Sequence, residues 1–345
     1  MSEKALESKP KADLADFLES LGISGQTLLL LGILTVLIAF FAITEDRFLT
    51  SSSLSSMGFQ LPELGVLSLA MMVTIIVGGV NLSINATSNL GAVLAGLMMT
   101  RLIPEGAAEG QILLYIGLAL LIFLTIGVLT GILNGLLVGH IGIPPILATL
   151  GTLSLFQGIS TGLTKGQTVT GFPEQVQFLG SERFLFIPLP FWIFVIATVV
   201  TYILLNHTAF GFKMRMTGTS PAAANFSGIN NNSIIMRTYV YSGLLAAIAG
   251  MIVMSRTASA AYEYGSKTYV LLTILIAVLA GLRQGFGNAL NIFLAVLILQ
   301  VLSTGSFMAL RGVRGSTFFK DFSWGLLLVA ILIINYHVRG RRTHG

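Results

Sequence analysis

The sequence contains a succession of apolar stretches that are separated by short polar segments. A helix needs ~20 mainly apolar residues to cross a bilayer, because each residue adds about 1.5 Å of rise. Backbone groups in lipid find no water, so such a chain must satisfy them within helices. The pattern predicts an all-α polytopic membrane protein with about 10 transmembrane helices. The predicted spans are residues 25–43, 59–77, 84–103, 112–138, 143–163, 187–205, 234–254, 269–282, 289–302 and 322–336.

The composition agrees with this fold class. Hydrophobic residues make up 54% of the chain and charged residues only 10%, whereas soluble domains carry roughly 25% charged residues. The net charge of +5 is small for this length and gives no indication of a nucleic-acid partner. The chain has no cysteine, which excludes disulfides and thiolate-bound metals. We predict no metal site.

Both ends of the chain are polar. Residues 1–24 mix lysines with acids and lack the layout of a cleaved signal peptide, and residues 339–345 contain several arginines. We predict an N-terminal tail at 1–24, a transmembrane domain at 25–338 and a C-terminal tail at 339–345. An even number of spans places both tails on the same side of the membrane.

Two of the predicted spans, 269–282 and 289–302, are short for a bilayer. About 14 residues of helix rise ~21 Å, which is less than the ~30 Å thickness of the hydrocarbon core. One interpretation is a tilted or re-entrant hairpin around residues 283–287. The other is that the true helices extend two or three residues beyond these bounds.

The longest polar insertion lies at residues 206–233. Within it we predict a short helix from Ser220 to Asn225, because Ser220 can accept a hydrogen bond from a first-turn amide and proline suits the first helical position. Gly228 is placed to end this helix. A short capped helix between spans is suited to docking a soluble partner, and an ordinary connecting loop is the alternative. The residues assigned to docking are Lys213, Arg215, Gly218, Ser220, Pro221, Ala222, Ala223, Ala224, Asn225 and Gly228.

A glycine pair interrupts the helical pattern between the second and third spans. Two glycines loosen the backbone, and Asn81 is placed to cap the helix that follows. We assign a structural turn to Gly78, Gly79, Asn81 and Ser83. A plain interhelical turn without further function is the alternative.

Polar side chains occur on three of the predicted spans. A polar stripe on a membrane helix faces the bundle or a water-filled path, although threonine can also satisfy its own helix backbone. Glu63 follows Pro62 in the predicted first turn of its helix, where a carboxylate meets the positive end of the helix dipole. Binding of solute hydroxyls at the outer mouth is the alternative role for Glu63. The residues assigned to the substrate path are Gln60, Glu63, Asn89, Thr149, Thr152 and Gln157.

Small residues on the fourth predicted span indicate close helix packing. Gly131 and Gly135 lie four residues apart, on one helical face, and would let a neighbouring helix approach closely.

The sequence shows no catalytic arrangement. It lacks H-E-x-x-H, G-x-S-x-G and the phosphate-binding loop G-x-x-x-x-G-K-[ST]. We therefore predict that the chain is not an enzyme and binds no cofactor of its own. If ATP drives this protein, another chain must bind the nucleotide.

Three motif groups, in order along the chain, resemble permeases of the sugar-transporting ABC importers of the ribose-permease type. Residues 78–83 resemble the family pattern G-G-[IV]-D-L-S, with Asn81 where an acid is usual. Residues 131–152 resemble its N-G and P-x-[FIL]-[IL]-[AV]-T-L runs. Residues 218–229 resemble its coupling loop, with Ser220 where asparagine is usual. The resemblance runs from about residue 47 to 336.

The resemblance implies a type II ABC importer-like permease fold in which residues 206–233 form a cytoplasmic coupling loop. It implies an ABC ATPase subunit, often a fused tandem ATPase, that binds ATP and Mg²⁺. It further implies a periplasmic binding protein that delivers a sugar, and a second permease copy that completes a homodimer in the lipid. The chain would lie in the bacterial inner membrane with both termini cytoplasmic. Glu174 and Glu182, on an outer loop, are the first choices for docking the binding protein.

Two other functions remain open at this point. An ion-coupled secondary transporter would be expected to carry an acid deep in the membrane or paired inverted repeats, and the sequence shows neither. An ABC permease for an amino acid or nucleoside, from the same superfamily, would share the fold. Copurification with an ATPase would separate the secondary transporter from both ABC permeases.

Overall fold

The computed structural model describes residues 24–104, 106–265 and 268–310, together with positions 322, 324–326 and 329. Helices account for most of these residues, which confirms the all-α fold class. Both predicted tails, apart from Ser24, and most of the predicted span 322–336 lie outside the described residues.

The described chain forms twelve α-helices. They are α1 (Gly25–Thr44), α2 (Ser51–Ile76), α3 (Ile84–Leu102), α4 (Glu109–Gly135), α5 (Pro145–Thr164), α6 (Phe178–Ser181), α7 (Leu189–His207), α8 (Ala209–Thr219), α9 (Pro221–Phe226), α10 (Asn231–Thr257), α11 (Thr268–Leu279) and α12 (Ala289–Ala309).

Shorter elements connect some of these helices. A π-helical turn, Leu136–His140, continues α4, and a 3₁₀ turn, Glu174–Gln177, precedes α6. A small antiparallel hairpin of β1 (Arg183–Phe184) and β2 (Ile187–Pro188) leads into α7.

Within the described residues, seven helical segments are long and apolar enough to cross a membrane. They are α1, α2, α4 with its π turn, α5, α7, α10 and α12, and α11 is a shorter apolar helix. The count of about ten predicted spans is therefore not confirmed, although a polytopic membrane protein is.

The second predicted span is wrong at its start. α2 begins at Ser51 rather than residue 59, because the Thr50 hydroxyl accepts a hydrogen bond of 3.4 Å from the Ser53 amide and caps the helix there. Pro62 and Glu63 consequently lie inside α2. The proposed interaction of Glu63 with the helix N-terminus is wrong, since the effect of the dipole fades within the first turn.

The two short predicted spans have different outcomes. α12 has 21 residues and reaches Ala309, so the bound at residue 302 was too early. α11 has only 12 residues and is short in the structure as well. Between them, Arg283 and Phe286 form an antiparallel bridge in a tight turn.

Helices α2 and α10 form the centre of the bundle. α2 packs against α7, α10, α11 and α12, and α10 also packs against α3 and α4. In the most apolar 18-residue stretch of each helix, 78% of the residues of α2 and 72% of those of α10 are buried. The corresponding share is 17% in α1 and in α4. Within the described residues, the apolar faces of α1 and α4 are thus largely uncovered, as expected of faces that contact lipid.

The close approach of α4 to another helix is confirmed, and the partner is α10. A Cβ atom on Gly131 would lie 2.5 Å from the Val240 Cα atom, and one on Gly135 would lie 2.7 Å from the Met236 Cα atom. Real side chains do not tolerate such distances, so glycine is required for this backbone contact.

Candidate functional site

The predicted short helix in segment 206–233 is confirmed as α9. The Ser220 hydroxyl accepts a hydrogen bond of 3.3 Å from the Ala223 amide, and Pro221 occupies the first helical position. Gly228 follows with a φ of 77°, and the Ile229 amide donates to the Ala224 carbonyl at 3.0 Å. This backbone reversal is the glycine-dependent helix ending that the sequence indicates.

Helix α9 projects from the bundle and is held on one side. Ala224 is fully buried, whereas Pro221, Ala222, Ala223 and Asn225 are exposed. The exposed residues form a surface that a second protein can contact without unfolding the helix.

The residues that precede α9 also form a helix, α8, rather than a loop. Lys213 is exposed on α8, whereas Arg215 is half-buried and donates hydrogen bonds of 2.9 Å to Asn206 and 3.0 Å to the Gly287 carbonyl. Burial lowers the pKa of the Arg215 guanidinium from its ordinary value. Arg215 therefore fastens α8 to the turn between α11 and α12.

Gly218 lies where α8 meets the end of α2. A Cβ atom at Gly218 would lie 2.8 Å from the Gly285 amide nitrogen, and that amide donates a hydrogen bond of 2.9 Å to the Ile76 carbonyl. The predicted docking segment is thus in direct backbone contact with the central helix of the bundle.

A chain of buried hydrogen bonds, here called the turn network, joins the predicted turn to α2, α4, α5 and α10. The Asn81 Oδ1 atom accepts hydrogen bonds from the Ser83 amide at 3.2 Å and the Ser83 hydroxyl at 2.9 Å. The Asn81 Nδ2 atom donates to Ser242 Oγ on α10 at 3.0 Å, and Ser242 Oγ donates to the Ala70 carbonyl on α2 at 2.8 Å. Ser83, not Asn81, occupies the N-cap position of α3, so the predicted capping role of Asn81 is wrong.

The turn network continues to α4 and α5. The Asn134 Nδ2 atom donates to Ser83 Oγ at 2.8 Å, and Thr152 Oγ1 donates to the Asn134 Oδ1 atom at 2.6 Å. Thr152 is the first donor, and each of the four side chains that follow accepts from one neighbour and donates to the next. Successive bonds of this kind polarise one another, which strengthens the set in a low-dielectric interior.

The residues assigned to the substrate path have different surroundings. Thr149 is buried and donates to the Val80 carbonyl at 3.0 Å and the Pro145 carbonyl at 2.7 Å. Thr152 is buried within the turn network. Gln157 is partly exposed, and Gln60 is exposed and donates to Ser56 at 3.0 Å. In this conformation the two glutamines are open to solvent or lipid and the threonines are not.

Glu63 belongs to a second buried polar group, here called the Glu63 cluster, with Arg256, Tyr264 and Tyr269. Arg256 Nη2 forms an ion pair of 2.7 Å with Glu63 Oε2 and donates to the Tyr264 hydroxyl at 2.6 Å. The Tyr269 hydroxyl donates to Glu63 Oε1. A buried carboxylate needs such partners, because an unpaired charge in an apolar interior is very costly.

The segment that carries Tyr264 is also held from α3. Asn85 Nδ2 donates to the Tyr264 carbonyl at 2.8 Å, and Asn89 Nδ2 donates to the carbonyls of Tyr262 and Tyr264 at 3.1 and 3.0 Å. The connection between α10 and α11 is therefore fixed to α2 and α3 by side chains. Asn89, assigned to the path from sequence, faces this connection.

Local sequence patterns do not indicate the other three members of the Glu63 cluster. Arg256 lies two residues after the predicted span 234–254, and a basic residue at that position was the available signal. The pairing itself joins residues 193 positions apart, which no local pattern indicates. The described residues contain no group of histidines or acids that could hold a metal ion.

Two apolar cavities lie at the surface of the bundle. One of about 480 Å³ is bounded by α3, α4 and α10, and the other of about 590 Å³ is bounded by α1, α2 and α12. Carbon atoms dominate both linings, so neither suits a polyhydroxylated solute that would lose its hydrogen bonds to water.

A bundle of apolar helices, with polar networks across its centre and a capped helix at one end, is the architecture of a polytopic membrane protein. The sequence matches the family described as "Branched-chain amino acid transport system / permease component" over residues 53–334. The chain belongs to this family and is a multi-pass transport permease.

Curated relatives agree with this assignment. The Ribose import permease protein RbsC of Bacillus subtilis is 31% identical over 306 residues, covering 87% of this chain and 90% of the relative. The Galactofuranose transporter permease protein YtfT of Escherichia coli is 31% identical, covering 70% and 68%. The Autoinducer 2 import system permease protein LsrD of Photorhabdus luminescens is 27% identical, covering 81% and 83%. No solved structure gives a significant match.

Proposed function

We propose that this protein is the permease subunit of an ATP-driven ABC importer for a sugar or related polyhydroxylated solute. The observation that carries the proposal is the direct contact of the coupling segment, α8 and α9, with the end of α2 at Ile76. The names of the relatives support the solute class, since they refer to import of ribose, galactofuranose and autoinducer 2.

If ATP drives this protein, a partner must bind the nucleotide, because the sequence has no phosphate-binding loop. An ABC ATPase subunit, in one chain or as a fused tandem, would bind ATP and Mg²⁺ and press on α9. Arg215 and Gly218 would transmit the displacement to α2 through Gly287 and Ile76. The coupling segment then lies in the cytoplasm, and both termini share that side of the bacterial inner membrane.

Helix α2 provides the route to the other end of the bundle. Glu63 and Ile76 lie on the same helix, about 20 Å apart at 1.5 Å per residue. A shift of α2 driven from Ile76 would strain the Glu63–Arg256 pair and the bonds that hold the connection between α10 and α11. In this proposal, opening of the Glu63 cluster gives the solute access to the residues behind it.

We propose that the path lies between two copies of the chain, and neither described apolar cavity suits a sugar. The polar residues of α2, α3 and α5 would line it after the inner contacts open. They are Gln60, Glu63, Asn89, Thr149, Thr152 and Gln157.

A periplasmic binding protein would deliver the solute at the end opposite α9. Glu174 and Glu182 are exposed beside the β1–β2 hairpin and offer negative charge to such a partner. Complementary charge raises the rate of encounter and fixes the orientation of docking.

Copurification tests the proposal. The tagged chain should retain an ABC ATPase in mild detergent, and the isolated complex should hydrolyse ATP. An Ala223→Glu variant, which is changed only on the exposed face of α9, should reach the membrane and lose coupling of hydrolysis to transport. A chain that transports its solute with no ATPase bound would contradict the proposal.

A further inference from the structure

An exposed aromatic side chain, that of Phe226, lies at the end of α9. Phe226 is 95% exposed, although the helix that carries it is capped at both ends and anchored through buried Ala224. Phe226 therefore adds nothing to the packing of its own helix. An ordered, fully exposed phenyl ring is the kind of side chain that serves as an anchor in protein interfaces.

The surroundings of Phe226 are polar. Asn225, Ser227 and Asn230 are exposed beside it. A lipid-facing surface carries neighbouring apolar side chains, as on α4, where Leu113, Leu114 and Leu121 are exposed. An exposed ring whose neighbours in the chain are amides and hydroxyls is typical of an aqueous surface that meets another protein.

A polar notch lies beside the ring. It has a volume of about 410 Å³ and is lined by Asn225, Gly228, Ile229, Asn230, Asn231 and Asn232. The side-chain amides can donate and accept hydrogen bonds but carry no charge. The exposed surface thus combines an apolar side chain, Phe226, with an uncharged polar notch.

We infer that Phe226 is the apolar anchor by which this chain docks onto its ATPase subunit, with the ring entering an apolar pocket of that partner. This inference rests on the proposed function, because it requires a soluble ATPase at the α9 end. The polar notch receives a hydrogen-bonding side chain from the same partner and fixes the orientation of the ring.

The partner assignment follows from the mechanical path. Phe226 terminates α9, and α9 is joined through α8 to Ile76 on α2. A protein that binds the Phe226 ring can therefore displace α2, the central helix of the bundle. A lipid headgroup layer would contact the same ring without transmitting directed work, and it is the competing outcome of the test.

The chain offers a matched control for Phe226. Phe186, at the turn of the β1–β2 hairpin, is also 95% exposed. The two phenylalanines lie on either side of α7, which has 19 residues and is about 28 Å long. They are therefore equal in type and exposure but lie toward opposite ends of the bundle.

The absence of native cysteine allows a direct test with single probes. Phe226→Cys and Phe186→Cys variants are labelled with an environment-sensitive fluorophore and placed in nanodiscs of phosphatidylethanolamine and phosphatidylglycerol. Addition of the ATPase subunit that copurifies with the chain should shift the emission of the probe at position 226 to the blue. The probe at position 186 should not respond. A blue-shifted probe at position 226 before ATPase is added, unchanged by its addition, would indicate lipid contact and overturn the inference.

Affinity gives the second readout. Phe226→Ala should weaken ATPase binding by about tenfold to a hundredfold, as expected when an interface anchor is truncated. Phe226→Leu should retain most of the affinity, and Phe186→Ala should bind as the unmodified chain does. If Phe226→Ala binds the ATPase as tightly as the unmodified chain does, while Ala223→Glu abolishes binding, Phe226 is not the anchor. The proposed function would then remain intact. Failure of the unmodified chain to bind any ATPase would instead contradict the proposed function.

Discussion

Asn81 donates a hydrogen bond of 3.0 Å to Ser242, and this contact joins the turn after α2 to the middle of α10. The orientation of the Asn81 amide is fixed, because the Ser83 backbone N–H can only donate and must face Oδ1. The Nδ2 group is thereby directed at Ser242. One side chain thus connects the turn after α2 to α10 and, through Ser242, to the Ala70 carbonyl of α2.

Substitution of this pair tests the turn network. Asn81→Ala removes the Ser242 contact and both contacts with Ser83, and should lower the free energy of unfolding by roughly 1–2 kcal/mol, as hydrogen bonds within membrane helical bundles do. Ser242→Ala should cost less. The double variant should be less destabilised than the sum of the two, because both lose one shared bond. Thermal unfolding in detergent measures all three, and strict additivity would show that the two residues act independently.

The Glu63–Arg256 pair makes a different prediction. Arg256→Gln leaves a buried carboxylate without its cation and should destabilise the protein by about 2 kcal/mol, below the usual range for buried pairs because the Arg256 side chain keeps 23% of its exposure. Glu63→Gln with Arg256→Gln removes both charges and should recover part of the loss. Unfolding measured for the two variants checks this. A double variant less stable than Arg256→Gln would show that the charges themselves hold the cluster together.

The close packing of α4 glycines against α10 predicts that a larger side chain prevents folding only at positions that contact α10. Gly131→Leu would force the Val240 backbone away and should prevent formation of a stable bundle. Gly117→Leu on the same helix has no atom within 4 Å of the added Cβ and should fold normally. Yield and monodispersity on size-exclusion chromatography measure the difference. Equal behaviour of the two variants would show that close α4–α10 packing is not required.

The exposed face of α9 predicts loss of coupling without loss of folding. Ala223→Glu places bulk and charge on a surface that small residues leave flat, and should weaken ATPase association at least tenfold by a clash and a desolvated charge. Solute uptake should fall to a similar extent while the amount of protein in the membrane stays the same. Ala108→Glu, at an exposed alanine before α4, is the control. Normal association in Ala223→Glu would place the coupling contact elsewhere.

Local sequence patterns predicted the features that depend on neighbours in the chain. Ser220, Pro221 and Gly228 determine a capped helix by themselves, so α9 was found nearly to the residue. The glycine spacing on α4 predicted close packing because Gly131 and Gly135 share a helical face. The length of the apolar stretches predicted most spans, because the thickness of the bilayer sets the length of a spanning helix.

The rest depends on partners distant in sequence. The serines of residues 51–56 look like a polar loop, yet they form the start of α2 because tertiary contacts bury Ser53 and Ser55. Glu63 looked like a first-turn acid because its partner, Arg256, lies on another helix. Arg215 was assigned to docking, and its anchoring role could not be predicted because Gly287 is reached only in the folded bundle.

Uptake by reconstituted vesicles tests the central claim most directly. The chain is incorporated into proteoliposomes with its copurifying ATPase and the cognate solute-binding protein, and entry of the radiolabelled solute that this binding protein holds is measured. The account predicts uptake that requires ATP and Mg²⁺ on the α9 side, persists when proton and sodium gradients are abolished, and is lost in Ala223→Glu. If the chain alone took up the solute with an ion gradient and without ATP, that result would contradict the proposed function.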